Sequence, residues 1–138
     1  MQFLFKANFM QSSGYTKLKK ISPQFLVSDL DKSVEFYTKL LGFEVAFRYE
    51  DFYVEINKDG HSIHLKWTDS FESKKETTIV NENLDLLFSV DQIASLYEDF
   101  SNKPIEITQA LRDMPYGREF YISDPDGYLI AFVEEKNI

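Results

Sequence analysis

Apolar and polar positions along the chain form a pattern that occurs twice. Gln24-Phe25-Leu26-Val27 leads into Asp29-Leu30-Asp31 and then a helical run from Ser33 to Leu41, closed by Gly42. Further along, Leu86-Leu87-Phe88-Ser89-Val90 leads into Asp91 and a second helical run from Ile93 to Phe100, ending near Asn102 and Pro104. Each half then carries an Asp-Gly turn between alternating segments, Asp59-Gly60 in the first and Asp126-Gly127 in the second. A repeat of this kind predicts two similar strand–helix–strands modules that pair, with a site between the halves.

The elements follow from local signals. Ile21 to Val27 reads as a strand, and Pro23 suggests an edge position or a strand start. Asp29 or Asp31 serves as helix N-cap. Leu30, Val34, Tyr37 and Leu41 recur at helical spacing, with Phe36 and Leu40 widening the apolar stripe. Gly42 is the stop, where a left-handed residue costs least. Phe43–Arg48 and Phe52–Asn57 read as strands, and Asp59-Gly60 turns the chain into a strand from Ser62 to Trp67. Residues 68–83 are polar and without period, a linker or a loop over a site. The second module, 84–138, opens with a strand from Leu84 to Val90. Its helix turns Ile93, Leu96, Tyr97 and Phe100 inward. A strand from Ile105 to Gln109, an irregular loop from Ala110 to Gly117 and a hairpin of Arg118–Ser123 with Tyr128–Glu134 complete it. Strands outnumber helices, which makes the fold class α+β. The first module spans 18–67, and residues 1–17 are an extension within which Met10 is an alternative start.

Composition narrows the function classes. The length of 138 residues suits one compact domain that buries about 68% of its unfolded surface. Thirteen Phe and eight Tyr supply a core and leave material for an apolar pocket. With no cysteine, disulfides, zinc–thiolate sites and cysteine nucleophiles are excluded. The net charge of −8 argues against a nucleic-acid partner, and the one basic cluster, Lys17, Lys19 and Lys20, reads as a solvated lead-in. Lys6 interrupts the short apolar start, no run approaches the ~18 apolar residues of a membrane helix, and a cytoplasmic setting is expected. No nucleophile with an adjacent base, phosphate-cradling loop or dinucleotide fingerprint is present. Asp124-Pro125-Asp126-Gly127 resembles a calcium loop only superficially and reads as a hairpin turn.

Val27-Ser28-Asp29-Leu30-Asp31-Lys32-Ser33 with Phe36-Tyr37 and Leu40-Leu41-Gly42-Phe43, followed much later by Gly117-Arg118-Glu119-Phe120 and Ser123-Asp124-Pro125-Asp126-Gly127-Tyr128-Leu129, resembles the glyoxalase/bleomycin-resistance/dioxygenase superfamily, the vicinal oxygen chelate proteins. The likeness covers residues 20 to 135. It implies two tandem βαβββ modules pairing into a curved sheet cup that encloses a ligand, and a homodimer in many members.

Enzymes of that superfamily hold one divalent metal through four strand positions, where it acts as a Lewis acid. Carried over, those positions are Ser22 (Gln24 if the register slips), His64, Asp85 and Ala131. Alanine cannot ligate and serine rarely does, so the resemblance implies no resident metal here and no cofactor. Glu134 and Glu135 lie further along the same strand. His61 and His64 sit three apart on a strand and face opposite sides, so they do not chelate together. His61 is expected at the surface, while His64 shares a face with Ser62 and Lys66 toward the cup. His64 either contacts a ligand or is a half-buried histidine bonded to its neighbours.

The candidate ligand-binding residues are therefore His64, Asp85, Gln24, Trp67, Tyr116 and Glu119. Trp67 either stacks on a ligand or covers a rim; Tyr116 either stacks or packs its loop. An inward Glu119 would meet a cation or act as a base, and Arg118 would pair with a carboxylate across the modules. The bleomycin-resistance branch implies a metal-free protein that sequesters a small cationic or aromatic molecule, as in antibiotic resistance. Two other readings stay open: a metal-dependent lyase or isomerase like glyoxalase I, or a ring-cleaving dioxygenase; and an interaction module whose cup is filled by side chains.

Overall fold

The computed structural model describes residues 16–72 and 82–136. The first unit comprises β1 (Gln24–Val27), α1 (Leu30–Glu35) continuing as a π-helical stretch (Phe36–Leu40), β2 (Glu44–Tyr49), β3 (Tyr53–Lys58) and β4 (His61–Trp67). The second comprises β5 (Leu86–Ser89), α2 (Ile93–Ser101), β6 (Glu106–Met114), β7 (Gly117–Ser123) and β8 (Leu129–Glu135). Each builds a four-stranded sheet, ordered β1-β4-β3-β2 and β5-β8-β7-β6. In both, the opening strand lies parallel to the closing strand, and the other neighbours are antiparallel. The repeat in the sequence is thus a repeat of topology, and the class is α+β. Among the described residues no helix is long and apolar enough to cross a membrane.

Local chemistry explains the helix ends. Asp29 caps α1 by accepting the Lys32 N–H at 3.1 Å. The π-helical stretch ends at Leu41, and Gly42 turns the chain with φ +84°, a conformation that favours glycine. The first N–H of α2, from Ile93, is satisfied by the Glu134 carboxylate of β8 at 3.1 Å, which occupies one of the two glutamates beyond Ala131.

Alternation along the strands divides each sheet into two faces. Phe25, Val27, Val54, Ile56, Ile63 and Leu65 cover one face of the first sheet beneath α1. Phe120, Ile122, Ile130 and Phe132 do the same beneath α2. These two sets merge into one core. Phe120 stacks on Phe132 at 5.1 Å, Phe100 meets both edge-on, and Phe43 of the first unit approaches Phe88 of the second at 6.2 Å. Much of the aromatic surplus is core.

The turn at 124–127 also docks the units. Asp126 accepts the Ser28 hydroxyl at 2.5 Å and Asp124 the Tyr37 hydroxyl at 2.8 Å. Tyr128 stacks on Phe25 at 4.2 Å and donates to the Leu26 carbonyl at 2.7 Å. Within the turn, Asp124 accepts the backbone N–H groups of Asp126 and Tyr128.

Three expectations are corrected. Residues 110–117 are not an irregular loop: β6 runs through to Met114, and Pro115-Tyr116 form the turn. Register shifts between Ile107 and Gln109 and between Gln109 and Arg112 interrupt the two-residue period that would have revealed the strand. The first strand begins at Gln24 rather than Ile21, because Pro23 has no N–H to pair and only its carbonyl joins the sheet, accepting His64 N–H at 2.9 Å. Among the described residues Arg118 meets no carboxylate across the modules; it lies 3.8 Å from Asp113 on the neighbouring strand. The extension at 1–15 and the middle of the linker at 73–81 lie outside the described residues.

Candidate functional site

The parallel pairing of β1 with β4 sets Gln24 beside His64, and β3 brings Glu55 opposite His64 from the other side. All three belong to the face of the first sheet away from the helices, with Tyr53. The Tyr53 hydroxyl is 2.9 Å from Gln24 Oε1 and 2.7 Å from His64 Nδ1. A single hydroxyl donates once, so it donates to Gln24 and accepts from His64 Nδ1–H, or the reverse after an amide flip. Among the described residues His64 Nε2 is buried with no hydrogen-bond partner, and Glu55 Oε2 stands 3.7 Å away. Glu55 accepts from Lys20 at 2.5 Å and from Ser62 at 2.7 Å. The Lys20 hydrogen bond, then that of Ser62, outweighs burial and holds the Glu55 carboxyl below the ordinary range. The face therefore carries a carboxylate paired with Lys20 beside a histidine with one open valence. Phe47 and Tyr49 flank it on β2 in register with Glu55 and Tyr53, both more than half exposed at 54% and 55%.

The corresponding face of the second sheet is different. Glu119 is buried and fully engaged: Arg112 donates to Oε2 through Nη2 at 2.6 Å and Nε at 2.9 Å, Tyr121 at 3.1 Å, and the Tyr116 hydroxyl donates to Oε1. Burial pushes this carboxyl up, but the hydrogen bonds from Tyr116, Arg112 and Tyr121 together hold it below its usual value. The Tyr116 hydroxyl is pushed up to about 12, chiefly by its bond to Glu119. Arg112 also meets Glu82 at 3.0 Å and lies over the Tyr121 ring at 5.5 Å. Glu119 is thus a neutralised internal anchor.

Of the residues singled out from sequence, Gln24 and His64 come together. Asp85 is exposed and accepts the Leu129 N–H at 2.8 Å, fixing the start of β8. Trp67, at the end of β4, pairs with Val27 of the core-facing set, so alternation turns it away from His64. Tyr116 closes its turn onto Glu119. His61 is at the surface. Sequence reading missed Tyr53, Glu55 and Arg112. The alternation Tyr53-Val54-Glu55-Ile56 held the signal for the first two, whereas Arg112 was hidden by the bulged register of β6.

Residues 20–132 match the family model described as Glyoxalase/Bleomycin resistance protein/Dioxygenase superfamily. The chain belongs to this superfamily. Solved structures of the superfamily's fold include TnmS3, an antibiotic binding protein from Streptomyces sp. CB03234 (20% identity, 88% of this chain and 100% of that one, TM-score 0.67). TioX from Micromonospora sp. ML1 is similar at 15% identity over 86% of this chain and 99% of that one, TM-score 0.67. A putative glyoxalase family protein from Bacillus anthracis is similar at 20% identity over 88% and 98%, TM-score 0.68. No curated protein matches the chain.

The superfamily's metal positions test poorly here. Ser22 Oγ and His64 Nε2 are buried polar side-chain atoms without a partner, but the second unit adds little to them. Asp85 is tied to backbone, and the Ala131 methyl is wholly buried. Among the described residues no group of three or more His, Asp or Glu side chains converges as a metal site. A zinc site ordinarily takes at least three protein ligands, and the described residues at these positions do not supply three converging donors.

Proposed function

We propose that the protein captures a small organic molecule, cationic or aromatic, on the open face of the first sheet and holds it unchanged, without a resident metal. The observation that carries this reading is the grouping of Gln24, Tyr53, His64 and anionic Glu55 beside the exposed rings of Phe47 and Tyr49. A ligand cation would compete with Lys20 for Glu55 and meet the ring faces by cation–π attraction. A ligand polar group would satisfy His64 Nε2, whose isolation otherwise costs stability. The likeness to TnmS3, described as an antibiotic binding protein, supports a drug-like ligand. The proposal sets this capture in the cytoplasm. It also includes a homodimer in which a second copy covers the open face.

The second reading, a metal-dependent lyase or isomerase like glyoxalase I or a ring-cleaving dioxygenase, is favoured by the unpartnered His64 Nε2 at a superfamily metal position. Thermal unfolding with a panel of cationic aromatic antibiotics separates the two. Capture raises the midpoint by mass action without added metal; the enzyme reading requires stoichiometric metal that survives dialysis.

A further inference from the structure

A cleft of 580 Å³ opens between the two units on the helical side, away from the face just described. None of Gln24, Tyr53, Glu55 or His64 lines it. Its size falls within the ordinary range for small-molecule sites. Its floor is apolar and drawn from both units: Leu40 and Phe43 from the first, Phe88, Leu96 and Phe100 from the second. The rings are fixed by their packing, Phe43 against Phe88 at 6.2 Å and Phe88 edge-on to Phe132 at 5.0 Å.

The rim has the opposite character. Lys39, Lys58, Lys103 and His61 stand around it with Asp59 and Asp99, so the lysines reach the cleft mouth beside carboxylates. The lysines are not equivalent. Lys39 is paired with Glu35 at 2.9 Å. Lys103 is paired with Asp99 at 2.9 Å and donates to the Leu40 carbonyl at 3.2 Å, a carbonyl at the end of the π-helical stretch. That leaves one of its three N–H bonds unassigned. Lys58 forms an ion pair with Asp59 at 3.8 Å, too long for a hydrogen bond. Its ammonium lies over Gly42, where an added Cβ would be 3.4 Å from Nζ. π-Helical turns recur at functional sites, and here one supplies Lys39 and Leu40 to the cleft wall.

We infer that this cleft is a second binding site, for an amphipathic anion: an apolar body seated on the Phe43–Phe88 floor and a carboxylate or phosphate monoester held by Lys58 and Lys103. The site is independent of the capture proposed for the open face. The ligand is taken as a free molecule rather than a membrane lipid, because the floor is drawn from both units and lies between them.

Calorimetric titration of decanoate into the full-length protein tests it. One site is expected, with affinity reduced about tenfold in Lys58→Ala and further in Lys58→Glu, and about tenfold lower for decan-1-ol, which lacks the charge. Decyltrimethylammonium should not bind there. His64→Ala, on the opposite face, should leave decanoate affinity unchanged. Absence of decanoate binding, equal affinity for decan-1-ol, indifference to Lys58→Glu, or loss of binding in His64→Ala would each overturn the assignment. Co-sedimentation with phosphatidylglycerol vesicles distinguishes the source: the protein should stay in solution, and Lys58-dependent pelleting would replace the free ligand with a membrane lipid.

Discussion

The Tyr37 hydroxyl donates to the Asp124 carboxylate at 2.8 Å, joining the first unit's helix to the second unit's last turn. Both side chains are essentially inaccessible to water. Burial pushes the Asp124 carboxyl from 3.8 up to about 6, against the lowering effect of its bonds from Tyr37, Tyr128 and Asp126. A carboxyl raised on folding binds its proton more tightly in the native state. Its stabilising contribution is therefore full below about pH 4 and is lost as pH rises through about 6. At pH 7 the ionised carboxylate depends on its donors.

Tyr37→Phe removes one of those donors. Urea unfolding at pH 7 should show a loss of about 1–3 kcal/mol, with a smaller loss at pH 5, where the protonated carboxyl needs less compensation. The carboxyls held low on folding, Glu55 and Glu119, lose their contribution only as pH falls below the ordinary carboxylate range. The comparison at pH 5 and 7 avoids that window. An equal loss at both pH values would remove Asp124 from the explanation.

Arg112 and Glu119 form a charge pair at 2.6 Å in the second unit, with Glu119 buried and Arg112 partly open to water. Removing one partner leaves the buried Glu119 carboxylate short of donors, so Arg112→Ala should lower stability in urea unfolding. A double-mutant cycle with Glu119→Gln should show strong coupling, because both changes remove the same hydrogen bonds. Additive losses would mean that Tyr116 and Tyr121 alone hold Glu119.

Gly117 opens β7 at φ +150°, and a Cβ there would lie 2.2 Å from the Glu134 carbonyl oxygen. That atom is backbone in the adjacent strand, so it has no easy escape. Gly117→Ala should destabilise the protein by more than about 1 kcal/mol in chemical denaturation. Gly60→Ala meets no atom within 4 Å, and should cost only the strain of its positive φ.

Elements of the fold were legible where punctuation and period agree. Asp29 and Gly42 bracket the first helix, and Asp59-Gly60 and Asp126-Gly127 mark hairpins that the structure retains. The grouping of His64 with Ser62 and Lys66 on one face was legible because β4 alternates without a break. What stayed hidden depends on pairing rather than on local pattern. The bulges of β6 disguised Arg112 as loop. The π-helical stretch shares its buried residues with an ordinary helix, so spacing does not reveal it. Asp124 and Asp126 look like turn residues, and only the opposing unit shows that they also receive Ser28 and Tyr37. The engagement of Glu119 was equally invisible, since its partner Arg112 lay in the segment read as loop.

Capture on the open face makes His64 and Glu55 binding residues with modest structural roles. His64→Ala and Glu55→Gln should each shift the unfolding midpoint little while weakening a cationic aromatic ligand about tenfold or more. Circular dichroism melts of the unliganded variants check the first half of that expectation.

The decisive measurement is calorimetric titration of a cationic aromatic antibiotic, chosen by thermal shift, into protein stripped of divalent metal by chelation and dialysis. Undiminished binding in the stripped protein, lost in His64→Ala and Glu55→Gln, is the expected result. Binding that disappears on stripping and returns with one equivalent of a divalent ion would contradict metal-free capture.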